Sequence, residues 1–190
     1  MKLATIKTPE ELRPVLKEPT ASGPDPAYWV FRDIGGDWSS LTIIPAEKFG
    51  SEYPKTYGHY HSTPVAETSY ILSGKGIILL QKKESGQITE VLLIMVKAGD
   101  KITVPPVYGH TSINTGDNPL LIYDNWKTAH QPADYEEITE RHGFAFYLTD
   151  ESGQLNLAPN THYQNVPQPV WLTPEEFLKR QTADSGRSAS

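Results

Sequence analysis

The chain contains no cysteine among its 190 residues. Disulfide bonds and thiolate metal sites are therefore excluded, and the composition fits a reducing compartment. Residues 1–7 also lack the apolar stretch of a signal peptide, so none is expected. From these two absences we expect a cytoplasmic protein.

Long hydrophobic runs and clusters of basic residues are missing as well. The longest apolar run, Val91 to Val96, has the length of a strand, whereas a transmembrane helix needs about 20 residues. The 17 lysine and arginine residues are scattered and are outnumbered by 23 acidic residues, which gives a net charge of −6. We therefore expect neither a membrane-spanning protein nor a nucleic-acid-binding surface.

Short apolar segments separated by turn residues fill the middle of the chain. Many such segments without long helical patterns between them predict an all-β sandwich or barrel. The chain length suits one domain that buries a core without cross-links. Strands are expected near Tyr28 to Phe31, Leu41 to Ile44, Thr56 to His61, Thr68 to Leu72, Gly76 to Gln81, Val91 to Val96, Lys101 to Val104, Thr111 to Asn114 and Leu120 to Trp126, with a late hairpin of Phe144 to Leu148 and Leu155 to Leu157.

Short helices are expected on either side of this β region. Thr8 is followed by Pro9 and, three residues later, by Glu11, which is the pattern of a helix N-terminus with a capping box. Similar patterns predict a helix over Tyr135 to Arg141 and another that starts after Thr173. We expect one domain over residues 1–180 that begins with an N-terminal arm, followed by a polar, disordered tail over residues 181–190.

Three histidines and one glutamate are candidate metal ligands. His59 and His61 are two residues apart, so on an extended strand both side chains point to the same face. Glu67 follows a proline at which the chain can turn back, and His110 follows a Pro-containing turn. Three imidazoles and one carboxylate complete a ligand set for a first-row divalent metal and leave room for water or substrate.

Each of these residues alone also has an ordinary structural explanation. A His-x-His pair on a half-exposed strand is usually solvated. His110 alone would be a loop histidine, and Glu67 alone would be a surface carboxylate. The combination of the four residues is what favours a metal site.

The chain resembles the cupin superfamily in both of its sequence motifs. The motif residues are His59-x-His61, Glu67 and Gly74, and then Gly99, Pro105, Gly109-His110 and Asn114. Over residues 41–150 the chain further resembles the cupin-type glucose-6-phosphate isomerases of archaea and some bacteria. That resemblance is carried by Leu41-Thr42-Ile43-Ile44-Pro45, Gly50, Glu52, Thr56, Gly58-His59-Tyr60-His61, Gly74-Lys75-Gly76, Leu79-Leu80-Gln81, Val104-Pro105-Pro106, His110, Asn114-Thr115-Gly116-Asp117, Pro132-Ala133-Asp134-Tyr135 and Gly143-Phe144.

The resemblance implies a fold, a cofactor and a reaction. The fold is the cupin double-stranded β-helix, a jelly-roll barrel with short peripheral helices. One divalent metal per chain would be held by His59, His61, Glu67 and His110, with Fe²⁺ preferred and Mn²⁺, Ni²⁺ or Zn²⁺ as alternatives. The reaction is the interconversion of glucose 6-phosphate and fructose 6-phosphate, a step of glycolysis and gluconeogenesis.

The resemblance also implies how the substrate phosphate is bound. The hydroxyl groups of Thr42 and Thr56 and the backbone of Gly58 match the family's phosphate-binding positions. Neutral donors of this kind can bind phosphate oxygens without a lysine cluster. Without the resemblance, both threonines would be read as strand residues with no further function.

Proton transfer is assigned by the same resemblance. Aldose–ketose isomerisation moves a proton between adjacent carbons and needs a base. Glu67 is the candidate base, with Tyr135 and His130 as candidate proton relays. Because a carboxylate that also ligates a metal is a weaker base, a metal-assisted hydride shift is the alternative.

The sequence departs from the family pattern at three places. The segment between the second histidine and the glutamate is one residue shorter than in the archaeal members. Two residues after the glutamate those members have a tyrosine, whereas here Ser69 occupies the position and Tyr70 follows. Near the Asp-Tyr pair, Pro132 falls close to the place of a family histidine, and His130 lies slightly upstream.

Two other functions share this ligand set. Metal-dependent cupin dioxygenases use three histidines and a glutamate, and a non-catalytic sugar-binding cupin is a further alternative. The phosphate-binding match favours the isomerase, with a sugar phosphate as its partner. Because cupins commonly pair through an N-terminal strand or arm, we also expect a homodimer with Tyr28 to Phe31 near the interface.

Overall fold

The computed structural model describes residues 1–36, 38–125 and 133–187 of the chain. The strands are β1 (Lys2–Lys7), β2 (Tyr28–Gly35), β3 (Trp38–Ile44), β4 (Tyr60–His61), β5 (Glu67–Ser73), β6 (Lys75–Glu84), β7 (Gln87–Lys97), β8 (Lys101–Val104), β9 (Tyr108–Asn114), β10 (Leu120–Asp124), β11 (Ala133–Asp134), β12 (Phe146–Glu151), β13 (Gln154–Pro159) and β14 (Val170–Leu172). The helices are α1 (Pro9–Leu12), α2 (Glu136–Glu140) and α3 (Pro174–Arg187), and a 3₁₀ turn (Arg13–Val15) follows α1.

Two larger sheets make up most of the fold. One sheet has six strands in the order β1-β2-β3-β10-β5-β8, and the other has four in the order β14-β7-β6-β9. Within the described ranges every pair in these sheets is antiparallel except β14 with β7. Apolar side chains from both sheets share one core. This is the cupin double-stranded β-helix, and it confirms the predicted all-β class.

The β6–β7 hairpin supplies much of that core. Leu79 and Leu80 are neighbours in β6, so their side chains point to opposite faces of the sheet, yet both are fully buried. A strand that is covered on both faces reads as a continuous apolar run, which is why Gly76 to Gln81 and Val91 to Val96 were recognisable. Both predicted strands are confirmed.

The strand predicted over Thr56 to His61 is wrong in its extent. Only Tyr60–His61 forms a ladder, as β4 paired with β11, and isolated bridges join Lys55 to Ile113 and His59 to His110. The backbone at Gly58 has φ +76°, which interrupts a regular strand. The segment therefore runs antiparallel alongside β9 and pairs with it only through single bridges.

The N-terminal residues are part of the fold. The capping box at Thr8 is formed: the Glu11 backbone N–H donates to the Thr8 hydroxyl, and the Thr8 backbone N–H donates to the Glu11 carboxylate. β1, which was not predicted, pairs with β2 at the edge of the six-stranded sheet. Leu12 and Val15 are fully buried in the main core.

A buried ion pair links this N-terminal part to the centre of the chain. The Lys55 ammonium donates to the Glu52 carboxylate and to the backbone oxygen of Val15, at 2.5 and 2.6 Å. The other Glu52 oxygen accepts from the Lys17 backbone N–H at 2.7 Å. Both side chains are almost inaccessible to solvent, so each depends on the other and on residues 15–17 for its partners.

The C-terminal elements follow the prediction with one exception. α2 lies within the predicted Tyr135 to Arg141 helix, and β12 and β13 form the late hairpin. α3 continues to Arg187 and so includes residues 181–187 of the tail that was predicted to be disordered. A second capping box at Thr173 starts this helix, and Gln181 anchors it by donating to the backbone oxygen of Thr103.

Among the described residues, no helix is long and apolar enough to cross a membrane.

Candidate metal centre and binding cavity

His59 and His110 are held together by their own backbones. The His59 N–H donates to the His110 carbonyl at 3.1 Å, and the His110 N–H donates to the His59 carbonyl at 2.9 Å. The two imidazole rings consequently lie 4.6 Å apart between centroids. His61, on β4, places its ring 5.4 Å from His59 and 5.1 Å from His110. The predicted convergence of the three histidines is confirmed.

Glu67 closes the cluster from β5. One carboxylate oxygen lies 3.6 Å from His61 Nε2, and the other lies 3.5 Å from His110 Nε2. Burial raises the pKa of Glu67, but the charge of His110 and hydrogen bonds with His110 and His61 outweigh it and hold that pKa well below its usual value. Glu67 is therefore a carboxylate at neutral pH.

The geometry of the four side chains suits a divalent metal. One ligand atom from each of the four lies within 4.8 Å of the others. Bonds of about 2.0–2.2 Å to one ion place neighbouring ligand atoms roughly 3–3.5 Å apart, close to the 3.5 and 3.6 Å separations seen here. The set of imidazole nitrogens and carboxylate oxygens also matches what first-row metals accept.

Gly58 is required for this arrangement. It has a positive φ, and a Cβ added to it would lie 2.3 Å from Phe144 Cε2 and 2.9 Å from the His110 backbone oxygen. Any side chain here would push the His59 backbone away from His110. The glycine thus allows the close approach that sets the distance between these two imidazoles.

A cavity of about 380 Å³ opens beside the cluster. This volume falls in the range of roughly 300–1,000 Å³ that is usual for small-molecule sites. The lining residues come from β2, β3, β5, β9, β10, the segment before β4 and the N-terminus of α2. They are Tyr28, Val30, Arg32, Ser40, Thr42, Thr56, Tyr57, Gly58, His59, Glu67, Ser69, His110, Ser112, Ile122, Asp124 and Tyr135.

The predicted phosphate-binding residues all line this cavity. Thr42 reaches it from β3, and Thr56 and Gly58 reach it from the segment before β4. The Thr56 hydroxyl accepts from the Ser112 backbone N–H at 3.1 Å and lies 3.1 Å from the Thr111 hydroxyl. Because the Thr111 hydroxyl donates to the Thr56 backbone oxygen at 2.9 Å, the Thr56 hydroxyl donates to Thr111, and it would have to rotate to donate to a ligand in the cavity.

The predicted relay residues have different outcomes. Tyr135, the N-cap of α2, lines the cavity, and its ring lies 5.8 Å from that of His59. Burial raises the pKa of its phenol, although the charge of Arg32 acts in the opposite direction. His130 lies outside the described residues, as does Trp126 at the end of the predicted last strand.

The serine that replaces the family tyrosine points into the cavity. Ser69 is buried and lines it, whereas Tyr70 faces the other side of β5 and packs near Trp38, with ring centroids 5.9 Å apart. The neighbouring tyrosine therefore does not substitute for the missing one.

Several cavity residues were not anticipated from the sequence. Arg32, Ser40 and Asp124 line the cavity, and none belongs to a recognised motif. The available signal was their parity: Ser40 precedes Thr42 by two residues, and Arg32 follows Tyr28 by four, so each shares a strand face with a cavity residue.

The fold and the cluster together define a cupin with a three-histidine, one-glutamate site that can hold a metal. A family model described as glucose-6-phosphate isomerase (GPI) matches residues 36–165. The chain belongs to this glucose-6-phosphate isomerase family.

Individual relatives agree with the family match. The chain is 34% identical over 127 residues to a glucose-6-phosphate isomerase of Pyrococcus abyssi, which covers 66% of this chain and 64% of that one. It is 35% identical over 126 residues to the same-named protein of Thermococcus litoralis, covering 66% and 63%. A putative glucose-6-phosphate isomerase 2 of Rhizobium meliloti is 32% identical over 117 residues, covering 60% and 56%. The matched part of the chain spans between 56% and 64% of the length of these curated relatives.

Proposed function

We propose that this protein is a metal-dependent isomerase that interconverts glucose 6-phosphate and fructose 6-phosphate. One observation carries the proposal: a single cavity joins the His/Glu cluster to the hydroxyl and amide groups of Thr42, Thr56 and Gly58. A sugar phosphate needs both parts of such a site, the hydroxyl and amide groups for its phosphate and the metal cluster for its reacting carbons. Membership of the glucose-6-phosphate isomerase family supports the same reaction, and it does not favour the dioxygenase or sugar-binding alternatives.

The metal proposed for the site is Fe²⁺, with Mn²⁺, Ni²⁺ or Zn²⁺ as alternatives, held by His59, His61, Glu67 and His110. When bound, such an ion would supply a Lewis acid that stabilises negative charge developing on substrate oxygens. The protein's part is to hold the four ligands at a fixed separation and to line the adjacent cavity with hydrogen-bonding groups.

Proton transfer is proposed to rest on Glu67, with Tyr135 and His130 as relays. The carboxylate is buried and negatively charged, so it can accept a proton from the carbon next to the carbonyl group and return it to the neighbouring carbon. The raised pKa of Tyr135 keeps its phenol protonated and able to donate to a substrate oxygen. A hydride shift is the alternative if Glu67 serves only as a ligand.

Thr56→Val is expected to raise KM with little effect on kcat. Losing one hydrogen bond to a charged group costs about 1.5–3 kcal/mol, which corresponds to roughly ten- to a hundredfold weaker binding of the substrate. The phosphate does not react, so the contact stabilises the bound substrate and the transition state alike. Steady-state kinetics with fructose 6-phosphate would measure this, with Thr103→Val, at an exposed position of β8, as the matched control. A fall in kcat with KM unchanged would contradict the phosphate assignment.

The reaction itself is tested with metal-reconstituted protein. Conversion of fructose 6-phosphate to glucose 6-phosphate is followed by a coupled assay, with O₂ uptake recorded in parallel. The proposal requires turnover that a chelator abolishes. Binding without turnover would leave a sugar-binding protein, and oxygen consumption would indicate a dioxygenase.

A cytoplasmic homodimer is proposed, with the outer face of β1 and β2 as the interface. Leu3 lies opposite Phe31 and Ile6 lies opposite Trp29, so four apolar side chains share this face. Leu3 and Ile6 are 45% and 47% exposed in the single chain. An apolar surface of this kind on an edge strand suits pairing with a second copy.

Light scattering at micromolar concentration is expected to give twice the 21.2 kDa chain mass. Phe31→Glu would place a charge in the interface and weaken the dimer by at least about tenfold. Leu178→Glu, at a 60% exposed apolar position on α3, is the control and leaves the dimer intact. A monomeric wild-type protein would contradict the proposal.

A further inference from the structure

Four polar residues form one row across the wall of the cavity. The register of the six-stranded sheet places Arg32 opposite Ser40, Ser40 opposite Asp124, and Asp124 opposite Ser69. All four line the cavity. Ser40, Asp124 and Ser69 are buried, and the Ser40 hydroxyl donates to Asp124 Oδ2 at 3.0 Å.

This polar row lies between the two ends of the proposed site. Thr42 and Ile122 form the neighbouring row on one side. Glu67 lies two residues from Ser69 along β5 on the other side. Each step of two residues advances about 6.7 Å along a strand, so in the sheet register Asp124 lies midway between Thr42, one of the proposed phosphate contacts, and Glu67, one of the candidate metal ligands.

An open-chain hexose 6-phosphate has a matching order of groups. Its phosphate is at one end, its reacting carbons C1 and C2 are at the other, and the hydroxyl groups of C3, C4 and C5 lie between them. These hydroxyls would face the polar row when the two ends occupy the sites described above. A carboxylate can accept hydrogen bonds from two neighbouring hydroxyls, while an arginine donates to hydroxyl oxygens.

We propose that the polar row of Arg32, Ser40, Asp124 and Ser69 recognises the hydroxyl groups of C3 to C5 and determines which sugar phosphate the site accepts. Asp124 makes the main contact, and Ser40 is a positioning residue that orients its carboxylate. The inference rests on the proposed function for the nature of the ligand. It assigns the discrimination between sugars to residues outside both the metal cluster and the phosphate-binding groups.

Because binding can be measured without turnover, the experiment uses two polyol phosphates that cannot isomerise. Glucitol 6-phosphate and its C4 epimer, galactitol 6-phosphate, are titrated into metal-loaded protein by calorimetry. The wild type is expected to prefer glucitol 6-phosphate. Asp124→Asn, which keeps the shape of the side chain, should weaken the binding of glucitol 6-phosphate by about ten- to a hundredfold and reduce the preference between the two epimers. Ser40→Ala should act in the same direction by about two- to tenfold.

Controls separate recognition from a structural effect. Both variants should keep the wild-type metal content and bind inorganic phosphate no more weakly than the wild type. Asp117→Asn makes the same charge change on the exposed turn before β10 and should alter nothing. Equal weakening of both epimers and of inorganic phosphate would overturn the inference, as would an Asp124→Asn protein with unchanged epimer preference, or a wild type that binds neither polyol phosphate.

The failure of this inference is distinguishable from the failure of the proposed function. A protein that isomerises fructose 6-phosphate but whose epimer preference is independent of Asp124 retains the function and overturns the inference. A protein that shows Asp124-dependent preference without isomerisation supports the inference and overturns the reaction.

Discussion

His110→Ala is expected to remove the metal from the purified protein and to reduce isomerase activity to background. His110 contributes one of the four converging ligand atoms, and its backbone bridge to His59 positions a second. Without His110 only three of the four candidate ligands remain, and the removed imidazole leaves a gap in the coordination of the metal. Metal analysis should give about one equivalent for the wild type and far less than half an equivalent for His110→Ala, with His61→Ala behaving alike.

A matched change tests whether the loss is specific. His162→Ala removes an exposed histidine that is not part of the cluster and whose ring is tilted against that of His142, with 4.4 Å between ring centroids. It should retain the metal and the activity. Thermal unfolding of the metal-free proteins checks that each variant still folds. Stoichiometric metal in both His110→Ala and His61→Ala would show that the site has been assigned wrongly.

Glu67→Gln is expected to lower kcat by about a hundredfold or more while changing KM little. The amide keeps the size of the side chain and one oxygen that can approach a metal, but it cannot accept a proton at neutral pH. General-base catalysis typically contributes about 10²–10⁴-fold. Because the low pKa of Glu67 makes it negatively charged in the wild type, the substitution also removes a buried charge from the cluster.

Three measurements belong with this variant. Its metal content should stay near that of the wild type, so that lost activity reports on the base. Glu84→Gln, at the exposed end of β6, should behave as the wild type. Reaction of the wild type in D₂O should introduce deuterium at the carbon that receives the proton. Activity of Glu67→Gln within about threefold of the wild type, or a product without solvent deuterium, would favour the hydride shift instead.

The metal cluster could be predicted from the sequence because histidine and glutamate side chains are themselves metal ligands, so the residue types alone indicate the chemistry. Histidine pairs two residues apart are uncommon, and their combination with Glu67 and His110 restricts the interpretation to few alternatives. The buried hairpin of β6 and β7 was equally accessible, since a strand covered on both faces has a continuous apolar pattern.

The polar row was not predicted because the sequence shows which residues of a strand share a face but not which face is turned into the cavity. Ser40 and Asp124 are ordinary surface residues unless their strands are known to turn that face inwards, and a shift of one residue reverses the face. The same ambiguity affected Ser69 and Tyr70, where only the structure decides which side chain enters the cavity. The length of a strand was also predicted wrongly where isolated bridges replace a continuous ladder, as in the segment from Thr56 to His61.

The buried Lys55–Glu52 pair has a consequence for where the protein can be divided. The family match begins at residue 36, yet the partners of this pair include backbone groups of Val15 and Lys17. A shortened protein that starts at residue 36 would keep every proposed metal ligand. It would, however, remove the backbone partners of Lys55 and Glu52 and leave these two buried charges incompletely paired next to Thr56. Breaking a buried charged network costs about 3–5 kcal/mol, a large share of the stability of a domain. The segment that matches the family model, residues 36–165, is therefore shorter than the part of the chain that must fold together for the cavity to exist.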